Sequence, residues 1–253
     1  SYHQLLRLFD KKVYLLPVLD SKKRVVDILS YDTFNPSKSI HPLIIRSRCP
    51  ARISFGGGGS DFTDLIDQNN SDVLTATIDK YCTVSILLRE DTAINIFSRD
   101  LDKTYKCKNI ESMKFGDDLD LIKYAIKIMN PEFGFDIETF SEIEKGTGLG
   151  GSSAMTAAVI GALNYFRNEN HFDPYYISDL SFQAERINMN IDGGWQDQYA
   201  TVFGGFNFIE LSKQKNIVNQ LKIPKQMRDQ LETYISLVDT KRVHNSGNIH
   251  RSE

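Results

Sequence analysis

The chain has 253 residues, enough to bury a substantial core, and a formal net charge of −3 with no basic run, which excludes a nucleic-acid surface from the expected partners. No stretch approaches the roughly 20 apolar residues of a membrane span, and the N-terminus shows no charged segment leading into an apolar one. Three cysteines, Cys49, Cys82 and Cys107, lack metal-ligand spacing and are odd in number, so reduced thiols and a cytoplasmic location are expected.

In chain order, Val13–Asp20 and Arg24–Leu29 are two apolar runs around a polar turn and predict a strand pair. This pair resembles the second half of a CBS module, with an N-terminal hairpin on the main body as the equal alternative. Asn35-Pro36-Ser37-Lys38-Ser39 reads as a linker, so residues 1–40 are expected to form a separate short segment. Next, Leu43-Ile44-Ile45 leads into Cys49-Pro50-Ala51-Arg52-Ile53-Ser54-Phe55, an alternating pattern that predicts a strand with Arg52 and Ser54 on one face. It ends in Gly56-Gly57-Gly58-Gly59-Ser60-Asp61, a mobile loop flanked by Arg52 and Asp61. Val73–Ile78, Tyr81–Leu88 and Ile94–Phe97 predict neighbouring strands of one sheet. A helix is expected over Asp118–Met129 and a strand over Phe135–Phe140.

Residues 146–153, Gly-Thr-Gly-Leu-Gly-Gly-Ser-Ser, run into an apolar stretch, Ala154 to Phe166, that predicts a buried helix. Glycines let the backbone approach a ligand closely, and a helix N-terminus presents unpaired N–H groups and partial positive charge, which suits a phosphate. Gly146, Gly148 and Gly151 satisfy G-x-G-x-x-G, but a dinucleotide site also needs a second strand ending in an acidic residue about 20 positions on. Asp173 lies near that distance, yet it follows polar residues and precedes Pro174, so no strand delivers it. A Walker A loop is excluded because Gly151 stands where lysine is required.

Asp173-Pro174 is a helix start, and Ile177, Leu180, Ala184 and Ile187 continue at helical spacing, predicting a helix over about 174–188 with Glu185 beside its apolar face. Gly193-Gly194-Trp195-Gln196-Asp197 then breaks the chain beside its single tryptophan, an environment that fixes a carboxylate. Phe206–Leu211 and Tyr234–Asp239 predict strands, with a helix over Pro224–Leu231 between them.

Three of these segments together resemble the GHMP kinases, the family of galactokinase, homoserine kinase, mevalonate kinase and phosphomevalonate kinase. Gly146–Ala154 is similar to that family's P-x-x-x-G-L-G-S-S-A motif, here Gly-Leu-Gly-Gly-Ser-Ser-Ala without the preceding proline. Cys49–Asp61 resembles its substrate-side motif. Arg52–Gly58, Gly194–Tyr199 and Phe203–Glu210 look closest to sugar kinases acting on D-glycero-D-manno-heptose 7-phosphate, although L-fucokinase-like proteins share the Gly-Trp-Gln-Asp-Gln-Tyr.

The resemblance implies an ATP-dependent kinase acting on a small-molecule sugar phosphate, with the oligomeric state left open. ATP would lie over Gly146, Gly148, Leu149, Gly150, Gly151, Ser152, Ser153 and Ala154. Mg²⁺ would be held by Ser152 or Ser153 together with Glu185, hard oxygen ligands that suit it. Asp197 matches the catalytic aspartate, with Arg52 as its partner; Asp61, with Gly58 and Gly59, would bind substrate. The implied fold is α+β. Its N-terminal domain, 43–212, contains a left-handed β-α-β element, and a ferredoxin-like second domain begins in 213–253. Because no third glycine-rich motif precedes Glu253, that second domain is expected to be incomplete. A non-catalytic nucleotide- or sugar-phosphate-binding module on the same fold would keep the glycine loop but have no need of Asp197.

Overall fold

The computed structural model describes residues 15–30, 44–167, 171–236 and 238. The chain separates into two compact units, Ser1–Leu43 and Ile44–Glu253. In the first, β1 (Leu15–Leu19) and β2 (Val25–Ser30) form the expected antiparallel hairpin. Asp20 closes its turn: one carboxylate oxygen accepts the N–H groups of Lys22 and Arg24 at 2.8 and 2.9 Å, and the other accepts from Arg24 Nε at 2.8 Å. The Asn35–Ser39 linker lies outside the described residues.

The second unit is built on a mixed sheet whose seven described strands are β3 (Ile44–Gly56), β4 (Ser71–Leu88), β5 (Ile94–Ser98), β6 (Lys103–Cys107), β7 (Phe135–Ser141), β8 (Phe206–Leu211) and β9 (Ile217–Gln220). The order is β6-β5-β7-β4-β8-β9, with β3 paired to β4. All described pairings in this sheet are antiparallel except β5 with β7. A parallel pair needs a crossover, supplied here by β6 and helix α2 (Asp120–Met129). The described residues thus form the expected α+β architecture.

Two expectations for the strands are corrected. Val73–Ile78 and Tyr81–Leu88 are one continuous strand, because β3 pairs along both halves, from Ile44 opposite Leu87 to Gly56 opposite Leu74. β5 neighbours β7 rather than β4. A third correction lies near the end of the described chain: Tyr234 closes helix α6 (Lys225–Tyr234) instead of opening a strand, and part of the expected 234–239 strand falls outside the described residues.

The remaining helices are α1 (Thr63–Gln68), α3 (Gly151–Asn164), α4 (Pro174–Phe182) and α5 (Gln196–Phe203). In α2 the buried Ile122, Ala125, Ile126 and Met129 recur at i, i+3, i+4 and i+7, one stripe against the core. Helix α3 is buried on nearly all sides and packs on β3 and β4. Small residues permit the close approach: a Cβ on Gly161 would sit 3.2 Å from Ser47 Oγ. The larger core joins α2, α3 and α4 to fully buried Ile86, Ile96 and Ile137. Each such side chain contributes about 1.5–3 kcal/mol. A smaller core gathers Ile66, Val73, Tyr199, Ile209 and Leu211.

Candidate active site

Three chain segments converge at the N-terminus of α3. The first is β3. Its pairing register with β4 shifts between Pro50, which has no N–H to donate, and Arg52. Arg52 is thereby tied to the glycine loop: its N–H donates to the Leu149 carbonyl at 3.0 Å and Nη1 to the Gly148 carbonyl at 2.7 Å. The same guanidinium donates from Nε and Nη2 to Asp197 Oδ1 at 2.7 and 2.5 Å. One arginine therefore fixes the loop and the carboxylate together, and Asp197 Oδ2 is the oxygen that Arg52 leaves open.

The second segment is the loop itself. Gly146, Gly148 and Gly150 all have positive φ, which favours glycine. At Gly150, the N-cap of α3, a Cβ would approach Arg52 Cγ at 3.3 Å and Asp197 Cβ at 3.7 Å, so a side chain would crowd the ion pair. A Cβ on Gly148 would meet nothing within 4 Å. The loop thus presents open space on the side where a ligand would lie, and the first-turn N–H groups of α3 lack intrahelical acceptors.

The third segment follows α4. Asp173 caps that helix by accepting from Tyr176 N–H at 2.9 Å, as expected. The helix then widens into a π-helical turn over Gln183–Asn188, which spacing alone does not reveal. This turn carries Glu185, only 1% exposed. The carboxylate accepts from Ser152 Oγ, from Ser153 Oγ at 2.6 Å and from Gln198 Nε2 at 2.8 Å. Glu185 and both serines are therefore brought together. Ser153 is fully buried, whereas Ser152 is partly open to the loop.

Asp61 is buried at the junction of the two glycine runs. Oδ1 accepts from Gly59 N–H at 3.1 Å and Gln196 Nε2 at 3.4 Å, and Oδ2 accepts from Gln196 N–H at 2.9 Å. Gly194 is required here, because a Cβ would fall 1.9 Å from Asp61 Oδ2. Burial pushes the Asp61 carboxyl above the ordinary range; the Gln196 N–H pulls it down and the charge of Asp197 adds to the rise. Gly58 packs against Gln196, whereas a Cβ on Gly59 would have nothing within 4 Å. Asp61, Gly59 and Gly58 are thus linked to Gln196, the neighbour of Asp197 in sequence.

Three residues of this cluster escaped the sequence reading. Arg186 lies with Nη1 3.4 Å from Glu185 Oε1 and Nη2 3.7 Å from Asp197 Oδ2. Adjacent residues on an α-helix do not face one another, so its position beside Glu185 carried no signal. Gln196 and Gln198 were visible only as neighbours of Asp197. Arg186 Nε, Gln196 Oε1 and Gln198 Oε1 are buried without a partner among the described residues, each at a cost of about 1–3 kcal/mol.

Among the described residues no three His, Cys, Asp or Glu side chains group as a metal cage. One carboxylate and two hydroxyls at a phosphate loop still fit Mg²⁺, which keeps waters and phosphate oxygens as most of its ligands. The cysteines are free; Cys82 and Cys49 face each other across β3 and β4, and burial pushes their thiols up to about 11 and about 12. Thiols so raised are protonated at neutral pH and unreactive. No helix among the described residues is long and apolar enough to cross a membrane.

Residues 120–205 match the family described as GHMP kinases N terminal domain. The D-glycero-alpha-D-manno-heptose 7-phosphate kinase of Campylobacter jejuni is 35% identical over 194 residues, covering 74% of this chain and 57% of that protein. A crystal structure of a D-glycero-D-manno-heptose 1-phosphate kinase from Bacteroides thetaiotaomicron superposes with a TM-score of 0.69 at 32% identity, covering 76% of this chain and 64% of that one. A putative sugar kinase structure from Campylobacter jejuni gives a TM-score of 0.65 at 34% identity, over 75% and 59% of the two chains. The chain thus spans less than two thirds of each of these relatives. The segment that builds the glycine loop, Glu185 and Asp197 is the one that matches the GHMP kinases N terminal domain.

Proposed function

We propose that the protein is an ATP-dependent sugar kinase that phosphorylates the anomeric hydroxyl of D-glycero-D-manno-heptose 7-phosphate. The observation that carries this reading is the Arg52 clamp, which joins Asp197 to the carbonyls of the glycine loop. A nucleotide-binding module has no use for a carboxylate held at that point. An enzyme transferring a phosphoryl group does, because the acceptor hydroxyl must be aligned with the phosphate. The choice of sugar rests on the heptose kinases among the relatives.

In this reading the triphosphate lies over Gly146–Ala154, against the N–H groups of α3. Ser152 and Glu185 would hold Mg²⁺, which when bound neutralises phosphate charge; Ser153 and Gln198 keep the Glu185 carboxylate oriented. Asp197 Oδ2 accepts the hydrogen bond of the acceptor hydroxyl and then its proton. Arg52 fixes the carboxylate through Oδ1. Gly58 and Gly59 line the acceptor side, and Asp61 contributes there through its hold on Gln196. Residues 213–253 would open the second domain, and the β1–β2 hairpin would be the remnant of a CBS module. A coupled ADP-release screen over heptose 7-phosphates, L-fucose, galactose and mevalonate tests this reading. Turnover is expected with heptose 7-phosphate; preference for L-fucose or mevalonate would overturn the assignment of substrate.

A further inference from the structure

Arg186 has no place in the roles above, yet it sits at the centre of the site. Its side chain is 9% exposed and lies between Glu185 and Asp197. Its own hydrogen bonding is thin. Nη1 reaches the Asp192 carbonyl at 3.3 Å, and the buried Nε has no partner among the described residues. A guanidinium carries five N–H donors in a planar fork, and burying that charge with donors unused is costly.

The carboxylates beside it lie at 3.4 and 3.7 Å and make their shorter contacts elsewhere. Glu185 accepts from Ser152, Ser153 and Gln198, and Asp197 Oδ1 accepts from Arg52. Arg52, by contrast, already uses Nε, Nη1 and Nη2 on Asp197 and the Gly148 carbonyl. Of the two arginines, Arg186 is therefore the one with more donors to spare. Spare guanidinium donors beside a phosphate loop match an anionic phosphate oxygen, which such forks bind strongly and often bidentately. The loop after the π-helical turn closes directly on this group. A Cβ on Gly193 would lie 2.4 Å from Arg186 Cζ and 2.5 and 2.7 Å from its terminal nitrogens.

We propose that Arg186 is the second cation of the catalytic centre and takes an oxygen of the nucleotide's γ-phosphoryl group. This deepens the kinase reading and rests on it. During transfer the bond from the acceptor oxygen to phosphorus forms while the β–γ bridging bond breaks. ADP leaves with that electron pair, and the hydroxyl proton passes to Asp197 Oδ2. Arg186 exchanges no proton; it offsets charge on the equatorial oxygens.

The test compares ATP and ADP affinities by calorimetry, and turnover with heptose 7-phosphate, in the parent, Arg186→Gln, Arg186→Lys and Gly193→Ala. Arg186→Gln should leave ADP affinity unchanged, lower the ratio of ATP to ADP affinity about tenfold or more, and lower turnover about 10²–10³-fold. Arg186→Lys should recover part of the turnover. Gly193→Ala displaces only the far end of a flexible side chain, so it should reproduce the Arg186→Gln pattern with a melting temperature near the parent's. If Arg186→Gln fails to fold, Gly193→Ala reads the same affinity ratio. Equal losses of ATP and ADP affinity, or an unchanged ratio with parental turnover, would overturn the assignment of Arg186 while the parent's activity upholds the kinase reading. A parent that binds neither nucleotide would overturn both.

Discussion

Asp197→Asn is the substitution whose consequences the geometry fixes most closely. The change preserves size but removes the charge and the capacity to accept a proton. Two Arg52 donors converge on Oδ1, and both side chains are largely buried, at 12% and 14% exposure. Asparagine can keep an oxygen in that position, so the bonds to Arg52 weaken without vanishing. Hydrogen bonds to charged groups contribute about 1.5–3 kcal/mol, so the variant should lose about 1–3 kcal/mol of stability and remain folded at room temperature. The kinetic loss is larger. The open oxygen, Oδ2, becomes an amide nitrogen or is left uncharged, and positioned bases contribute about 10²–10⁴-fold, which corresponds to about 2.7–5.4 kcal/mol. Turnover is measured by coupled ADP release at saturating ATP, with nucleotide affinity by calorimetry and folding by circular dichroism. Turnover should fall within that range while ATP still binds. A folded variant that keeps half of the parent's turnover would refute the role given to Oδ2.

Gly148→Val places a branched side chain at φ +71°, in space that is open above the loop, so calorimetry should show at least about a tenfold loss of ATP affinity in a folded variant; unchanged affinity would remove the phosphates from this loop. Glu185→Gln should retain the fold, because glutamine can still meet the serines, but should raise the Mg²⁺ concentration needed for half-maximal turnover; an unchanged metal dependence would return Glu185 to a structural role. Burial raises the Asp61 pKa, so the folded form keeps its proton to higher pH than the unfolded chain, whose carboxylate titrates near about 3.9. The associated stability is fully present below that value and is lost as pH rises through the raised folded value. Denaturant melts of parent and Asp61→Asn should therefore show a stability difference that shrinks with rising pH above about 4; a difference independent of pH would contradict the shift.

Much of the candidate site was legible because its residues fall in short runs. Gly146–Ser153 and Arg52–Asp61 announce themselves by glycine density, and Asp173-Pro174 marks the start of α4 at the residue where the cap forms. What could not be read depends on contacts distant in sequence. β4 runs unbroken through Asp79 and Lys80 because β3 pairs on both sides of that polar step. Short β6 and β9 lie at the end of the sheet order, where pairing partners, not their own pattern, define them. The π-helical turn at Gln183–Asn188 changes which side chains meet without altering the residue pattern, and so concealed Arg186. Gly193 and Gly194 read as a break; in the fold each makes room for one particular group, the Arg186 guanidinium and the Asp61 carboxylate.

The most direct test of the proposed reaction is ³¹P NMR of the product formed from ATP and D-glycero-D-manno-heptose 7-phosphate, with proton coupling resolved. The Arg52–Asp197 clamp beside the glycine loop, with heptose kinases among the relatives, predicts a second phosphate resonance coupled to the anomeric proton, appearing in step with ADP. A new phosphate on any other carbon, or ADP formed with no new sugar phosphate, would contradict it.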